Sequence, residues 1–256
     1  MHIIFLRKPH ALRLTEEGIL FRQYAQQILD LVEKSTEDIR EMEKGLQGTL
    51  YLASVEGHAP HLFSEWIAGF HALYPHVQYN LWNGNSDEVT NMIMKGLADL
   101  AIIMEPYNAE GLDAIHVHEE PWIAMIPAHH PLAKLPGDTI ELKELIPYDL
   151  IIPSRASRLQ EINGWFKSTG CKPSIRCRIA HMLNAYELTE QGVGIAIYPA
   201  AAADLAMGEN ACIKELIHPS VTASYVLIRN RERKLSNVAE EFLSYIKETL
   251  NKVDKF

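Results

Sequence analysis

From residue 48 onwards, short apolar runs alternate with amphipathic stretches, and this alternation is the feature that most constrains the fold. The runs GTLYLASV, VQYNLWNGNS and LADLAIIM have the length and the β-branched and aromatic content of strands. The stretches between them have the length and spacing of helices, and DEVTNMIMKG follows Asn and Ser residues that suit a helix start. Strand, helix, strand, helix, strand in this order predicts a parallel α/β sheet.

The same alternation begins again near the middle of the chain, after a further strand in EPWIAMIPAHHPLA. The second series consists of YDLIIP, RLQEINGWFKSTG, SIRCRIA, HMLNAYELTEQG and VGIAIYP, and the chain closes with ASYVLIRN and SNVAEEFLSYIKETL. Two such series predict two lobes with a cleft between them. We place lobe I at about 48–121 and 226–256, and lobe II at about 122–225. In open α/β sheets, ligands bind at the carboxyl ends of the strands.

A long helix is predicted before the first series, within residues 16–47. Thr15 suits an N-cap, and the acidic Glu16 and Glu17 favour the first turn of a helix. Apolar residues recur with a spacing near 3.5 at Leu20, Tyr24, Ile28, Leu31, Ile39 and Met42. A helix of roughly 28 residues is about 42 Å long. We interpret the stripe as a dimer seam; the alternative is a core helix of the following domain.

Charge and cysteine content exclude some classes of protein. The formal net charge is −9, which argues against general nucleic-acid binding. The 3 cysteines are odd in number and lack CxxC spacing, as expected of free thiols in a reducing compartment. The sequence has neither a signal peptide nor an apolar run of the ~18 residues that span a bilayer. We therefore expect a cytoplasmic protein without membrane contacts.

Several motifs together resemble the LysR-type transcriptional regulators. The segment FLRKPHALRLTEEG resembles the wing of their winged helix-turn-helix, with Leu14, Thr15 and Gly18 at the Leu-Thr-x-x-Gly positions. The segments YPHVQYNLWNGNS, GLADLAI (with Asp99), HHPLA and EQGVGIAIYP then follow in the family's order. The resemblance implies a bilobal effector-binding domain like the type 2 periplasmic binding proteins, at residues 48–256. It also implies a dimerising linker helix and assembly as a homodimer or homotetramer.

The N-terminus departs from the family pattern, in which a complete helix-turn-helix precedes the wing. Only four residues precede Phe5, so residues 1–15 are expected to be a remnant of that domain. Arg7, Lys8 and Arg13 could contact phosphates, but phosphate contacts carry no direct sequence information. We expect no specific operator binding by this chain. The sequence leaves open whether the chain is a fragment, has a shortened gene start or is naturally short.

The resemblance also implies a small metabolite bound between the lobes. Carried over by position, the candidate ligand-binding residues are Ser54, Glu56, Asn85, Ser86, Met104, Glu105, Ser154, Arg155 and His181. Hydroxyl groups at helix N-termini suit an anion, and a guanidinium matches a carboxylate. We therefore expect an effector that is at least partly anionic, with Arg155 as its main charge partner. The alternatives are simple capping by the Ser and Asn residues, and pairing of Arg155 with a surface acid such as Glu161.

Other patterns point to no further chemistry. In HVHEE, period two places His116, His118 and Glu120 on one face of a strand, but we interpret this face as solvent-facing and expect no metal site. The sequence contains neither a GxSxG elbow nor a complete dinucleotide fingerprint. We therefore expect no cofactor and no enzymatic activity. The main alternative function is a stand-alone solute-binding protein of the same fold.

Overall fold

The computed structural model describes residues 5–8, 11–41, 46–168, 170–205, 210–217 and 221–253. Its strands are β1 (Phe5–Lys8), β2 (Ala11–Leu14), β3 (Gly48–Ser54), β4 (Val77–Asn83), β5 (Leu100–Met104), β6 (Leu112–Pro127), β7 (Thr139–Ile140), β8 (Asp149–Pro153), β9 (Ser174–Ile179), β10 (Ile195–Pro199), β11 (Ala211–Leu216) and β12 (Thr222–Asn230). Its α-helices are α1 (Glu16–Glu41), α2 (Ala59–Leu73), α3 (Ser86–Lys95), α4 (Ala156–Ser168), α5 (Met182–Glu190) and α6 (Asn237–Val253). Short 3-10 helices occupy Pro131–Lys134, Leu142–Leu145 and Ala200–Leu205.

The N-terminal part consists of a hairpin and a long helix. Strands β1 and β2 pair antiparallel. Helix α1 follows directly, and the backbone N–H of Gly18 donates to Thr15 Oγ1 at 2.9 Å. This bond satisfies one of the amide groups that the first turn leaves without a helical partner, as expected of a Thr N-cap. Helix α1 has 26 residues, close to the predicted length.

The first half of the large sheet has the order β4-β3-β5-β12-β6. Strand β3 runs parallel to both β4 and β5, as the alternating strand and helix order predicts. Strand β12 returns from the far end of the chain and pairs antiparallel with β5 and with β6. All five residues of β5 are buried, which explains its continuous apolar sequence.

The second half of the sheet has the order β6-β10-β8-β9, with β8 parallel to both β10 and β9. Strand β10 runs antiparallel to β6. Strand β11 also pairs with β6, and β7 pairs with β11. Neither β7 nor β11 was predicted from the sequence.

Strand β6 connects the two halves. Its residues 112–121 pair with β12, whereas Trp122 and the residues after it pair with β10 and β11. The sequence segments HVHEE and EPWIAMIP therefore belong to one strand of 16 residues. The lobe boundaries predicted above stay a prediction, but the change of partners within β6 falls at the predicted change of lobe.

The structure explains why the segment GLADLAI contains a glycine at position 96 and an aspartate at position 99. Gly96 ends α3 with a left-handed φ of 73°, a conformation that favours glycine. Asp99 is buried and its carboxylate accepts the backbone N–H of Tyr51 on β3 at 3.0 Å. Asp99 thus fixes the start of β5 beside β3, which aligns the carboxyl ends of the two strands.

Two sets of strand ends meet because of this topology. The carboxyl ends of β3 and β5 lie on one side of the place where the two halves of the sheet meet, and those of β8 and β9 lie on the other.

Within the described ranges, none of the helices combines the length and apolar character needed to cross a bilayer.

Candidate effector site between the lobes

A cavity of about 120 Å³ lies where these strand ends meet. Lobe I contributes residues after β3, the last residue of β5 and residues at the start of α3. Lobe II contributes residues at the ends of β8, β9 and β10 and directly after β8 and β9. The lining residues are Val55, Glu56, Gly84, Asn85, Ser86, Met104, Trp122, Pro153, Ser154, Arg155, Arg158, Ile179, Ala180, His181, Met182, Tyr198 and Pro199.

Most of the predicted ligand-binding residues are brought together here. Those that line the cavity are Glu56, Asn85, Ser86, Met104, Ser154, Arg155 and His181. Ser54 is buried at the end of β3, where its hydroxyl oxygen accepts from Asn83 Nδ2 at 3.2 Å, and it does not line the cavity. Glu105 lines a separate depression together with Pro106 and Glu161.

Arg155 reaches across the cavity to the first turn of α3. Its Nε and Nη2 donate to the same atom, Asp87 Oδ1, at 3.2 and 2.7 Å. Its Nη1 lies 3.4 Å from the carbonyl oxygen of Met104. The Arg155 side chain is 11% exposed and that of Asp87 is 71% exposed. The cationic group is therefore fixed within the cavity wall, whereas its acidic partner lies largely in water.

The alternative expectation, that Arg155 pairs with a surface acid, describes this contact, with Asp87 in place of the suggested Glu161. Glu161 instead forms its ion pair with Arg158, three residues before it on α4.

Two of the predicted polar residues hold the start of α3. Asn85 is the N-cap: its side chain accepts from the backbone N–H groups of Asp87 and Glu88, and the Glu88 side chain accepts from Asn85 N. The Ser86 hydroxyl lies 3.2 Å from the carbonyl oxygen of Met104 and accepts from the N–H of Met104 at 3.3 Å. These contacts match the capping alternative and join α3 to the end of β5.

Glu56 forms a second contact between the lobes. Its Oε2 accepts the backbone N–H of Met182, the first residue of α5, at 2.8 Å. Its Oε1 lies 3.0 Å from His181 Nδ1. The N-terminus of a helix favours negative charge, so Glu56 already occupies the position that an anion would take on α5.

Arg158 is a buried charge in the cavity wall that the candidate set omitted. Its guanidinium donates to Glu161 Oε2 and to the carbonyl oxygen of Glu105, and it lies 5.1 Å from the Trp122 ring centroid. Burial lowers the pKa of Arg158, while the charge and hydrogen bond of Glu161 oppose that shift. Because Arg retains its charge under such shifts, a permanent cation lies behind the cavity. Its position after YDLIIP, three residues beyond Arg155, was the available sequence signal.

Two aromatic residues complete the wall. Trp122 is fully buried, and its Nε1 has no acceptor within the described part of the chain. Tyr198 Oη lies 3.3 Å from the carbonyl oxygen of Ile179, and burial raises the pKa of the Tyr198 hydroxyl. Both residues come from strands β6 and β10, and their burial gives the cavity a largely apolar floor.

The expectation that the HVHEE face points to solvent is wrong for Glu120. Glu120 is 6% exposed, and its carboxylate accepts from Tyr225 Oη and from the backbone N–H of Ala201 at 2.8 Å. His118 is half-buried and His116 is exposed. The pairing of β6 with β12 shifts register between Tyr225 and Val226, so strict alternation does not hold here.

The predicted dimer and DNA residues lie outside this site. On α1, Leu20, Tyr24 and Ile28 are 52%, 54% and 62% exposed. Leu31 is half-buried, the side chain of Ile39 lies outside the described part of the structure, and Met42 lies outside the described residues. Arg7, Lys8 and Arg13 lie in the N-terminal hairpin, but their side chains are likewise outside the described part.

The fold and the cavity between its lobes define an effector-binding domain of the type found in transcriptional regulators. Residues 43–251 match the LysR substrate binding domain family, so this chain belongs to the LysR family of regulators. This membership favours the regulator over a stand-alone solute-binding protein.

Relatives and solved structures agree with this assignment. The HTH-type transcriptional regulator YfeR of Shigella flexneri is 26% identical over 239 residues, covering 93% of this chain and 77% of that protein. A probable RuBisCO transcriptional regulator of a Nostoc species is 27% identical over 248 residues, covering 93% of this chain and 73% of that protein.

The LysR family regulator CbnR has a TM-score of 0.76 at 20% identity, covering 93% of this chain and 82% of that chain. The effector binding domain of QuiR in complex with shikimate has a TM-score of 0.71 at 20% identity, covering 80% of this chain and 98% of that chain. At such identities the structural similarity shows the shared fold alone.

Proposed function

We propose that this chain senses a small, at least partly anionic metabolite that binds between the lobes, with Arg155 as the main charge partner of the ligand. The observation that carries this proposal is the geometry of Arg155. Two of its N–H donors converge on a single oxygen of an exposed aspartate. A ligand carboxylate can offer one oxygen to each donor, which is the stronger, bidentate arrangement.

The charges around the cavity support an anionic ligand with a polar second end. Arg155 and the buried Arg158 supply two positive charges on lobe II, each paired with one carboxylate. Glu56 supplies a negative charge at the opposite end, beside His181. A carboxylate near Arg155 and a hydroxyl or amino group near Glu56 satisfy both ends.

The contact of Arg155 with Asp87 implies that the lobes rearrange when the ligand binds. The Nε and Nη2 donors of Arg155 are both directed at Asp87 Oδ1, so a ligand carboxylate reaches them only when this contact opens. The ligand then replaces this contact as the connection between the lobes. The complex of the structurally similar QuiR domain with shikimate is in line with a small-molecule ligand.

The same family assignment leads us to propose a sensor rather than an enzyme, one that acts on transcription in an oligomer. We further propose that a second copy of this chain covers the exposed apolar stripe of α1. We also propose that the assembly is a homodimer or homotetramer and that this chain by itself does not bind an operator specifically.

A thermal-shift screen tests the class of ligand. Carboxylates, phosphates, amines and neutral apolar compounds are each added to the protein, and the unfolding temperature is measured. An anionic ligand at ~100 times its dissociation constant stabilises the folded state by about 2.7 kcal/mol. If only cations or neutral apolar compounds stabilise the protein, the proposed anionic effector is wrong.

A further inference from the structure

A second cluster of chemically capable side chains lies away from the effector cavity. His58, in the loop before α2, His118 and Glu120, both on β6, each place one potential ligand atom within 4.8 Å of the other two. None of the three lines the cavity between the lobes. We call these three residues the histidine–glutamate cluster.

The environment of Glu120 differs from that of a surface acid. Its carboxylate is buried, and it is oriented by the Tyr225 hydroxyl and by the backbone N–H of Ala201. A carboxylate oxygen can accept more than one contact, so these bonds leave capacity for a cation. Carboxylates that bind metals are commonly held by hydrogen bonds of this kind.

The two imidazoles provide the nitrogen ligands. The rings of His58 and His118 are stacked, with centroids 3.7 Å apart and planes 12° from parallel. Tyr225 also fixes the loop that carries His58, since the His58 backbone N–H lies 3.3 Å from Tyr225 Oη. The same tyrosine thus positions both the loop of one histidine and the carboxylate.

We propose that the histidine–glutamate cluster binds a divalent transition-metal ion of the zinc type. Two imidazoles and one carboxylate form a ligand set that zinc accepts, with water in the remaining position. Imidazole ligands also discriminate against Mg²⁺ and Ca²⁺, which prefer oxygen.

Binding requires a local rearrangement. One ion cannot lie in the planes of two parallel stacked rings, so one imidazole must rotate about its Cβ–Cγ bond. The ligand atoms must also approach to about 3.3 Å, the separation in a tetrahedral site with bonds near 2.05 Å. His58 is the residue that rotates, because it lies in a half-buried loop whereas His118 is held in the paired strand β6.

Such a site would join three parts of the chain. His58 belongs to the loop that leaves β3, His118 and Glu120 belong to the strand that connects the halves of the sheet, and Glu120 contacts the start of the 3-10 helix at Ala201. The ion would therefore stabilise the region where the two lobes are joined, without occupying the effector cavity.

Titration of the metal-free full chain with Zn²⁺ by calorimetry tests the proposal. We expect one ion per chain, and at least tenfold weaker binding in both His118→Asn and His58→Asn. His76→Asn is the matched control, because His76 is exposed and lies outside the cluster, and it should bind as the parent does. Mg²⁺ should produce no comparable heat.

The Co²⁺ absorption spectrum separates this site from the cysteines. Cobalt in the histidine–glutamate cluster gives d–d bands without a thiolate-to-cobalt charge-transfer band. The proposal is overturned if a thiolate band appears, or if the parent does not bind Zn²⁺. It is equally overturned if both cluster variants bind as the parent does, or if His61→Asn or His116→Asn abolishes binding while the cluster variants retain it.

Discussion

At the scale of single residues, Arg158 holds its charge in an almost fully buried position. Removing its side chain leaves the carbonyl of Glu105 without this donor and Glu161 without its cation. Breaking a buried ion pair from one side costs about 3–5 kcal/mol, because the remaining group loses its partner but not its burial. Glu161 is 29% exposed, which places the expected cost near the lower value.

We therefore expect Arg158→Ala to lower the free energy of unfolding by about 3 kcal/mol. Arg176→Ala is the matched control, since Arg176 also pairs with a carboxylate, that of Asp149, but is 60% exposed. An exposed pair contributes about 0–1 kcal/mol. Urea denaturation of the two variants measures the difference; equal losses would show that burial of Arg158 has no energetic consequence.

At the scale of secondary-structure elements, α1 exposes its apolar stripe. We expect Ile28→Glu to dissociate the oligomer, because the added charge would be desolvated between two helices. Gln26→Glu adds the same charge on the other side of α1 and should leave the mass per particle unchanged. Sedimentation equilibrium measures both. Unchanged association of the Ile28 variant would remove this stripe from the interface.

The paired strands β6 and β12 are joined at one end by Asp113. This carboxylate on β6 accepts from Arg231, which follows β12, and from Arg229 on β12, and these hydrogen bonds hold its pKa below the usual value. A depressed folded pKa gives stability that is present above the unfolded pKa, near 3.9, and is lost as the pH falls through the folded pKa.

The stability difference between the parent and Asp113→Asn should therefore be constant near neutral pH and shrink below about pH 4. Urea denaturation of the parent and the variant, near neutral pH and below about pH 4, measures this difference. A difference that grows on acidification would contradict the proposed role of the two arginines.

The sequence predicted most elements because local pattern and tertiary context agree there. Strands such as β3, β5 and β8 are largely apolar runs in the sequence. The start of α3 is equally recognisable, because Asn85 and Glu88 have the types and spacing of a helix N-cap and its capping box. Strand β11 was missed because its sequence ACIKEL mixes buried and exposed residues, and its pairing with β6 depends on contacts distant in sequence.

The candidate site was predictable only in part. Strand ends predicted which segments meet, because parallel strands place their carboxyl ends along one edge. The partners of individual side chains were not predictable: Arg155 pairs with Asp87 of the opposite lobe, and the Ser86 hydroxyl contacts the backbone of Met104. The burial of Glu120 depends on Ala201 and Tyr225, which lie 81 and 105 residues away in the sequence.

At the scale of the whole molecule, the contacts between the lobes that the described residues form around the cavity include Arg155 with Asp87, Arg158 with the carbonyl oxygen of Glu105, and Glu56 with the start of α5. A ligand that replaces the contact of Arg155 with Asp87 and engages Glu56 couples its binding to the relative position of the lobes, because each lobe supplies only part of the site. The energy of this rearrangement then comes from the difference between the ligand contacts and the protein contacts that they replace.

The most direct test of this account is calorimetric titration of the most stabilising carboxylate into the parent, Arg155→Ala and Arg176→Ala. A hydrogen bond to a charged group contributes about 1.5–3 kcal/mol, so loss of Arg155 should weaken binding at least tenfold. Arg176→Ala, which removes an exposed arginine outside the cavity, should bind as the parent does. Equal affinities for the parent and Arg155→Ala would contradict the assignment of Arg155 as the charge partner of the effector.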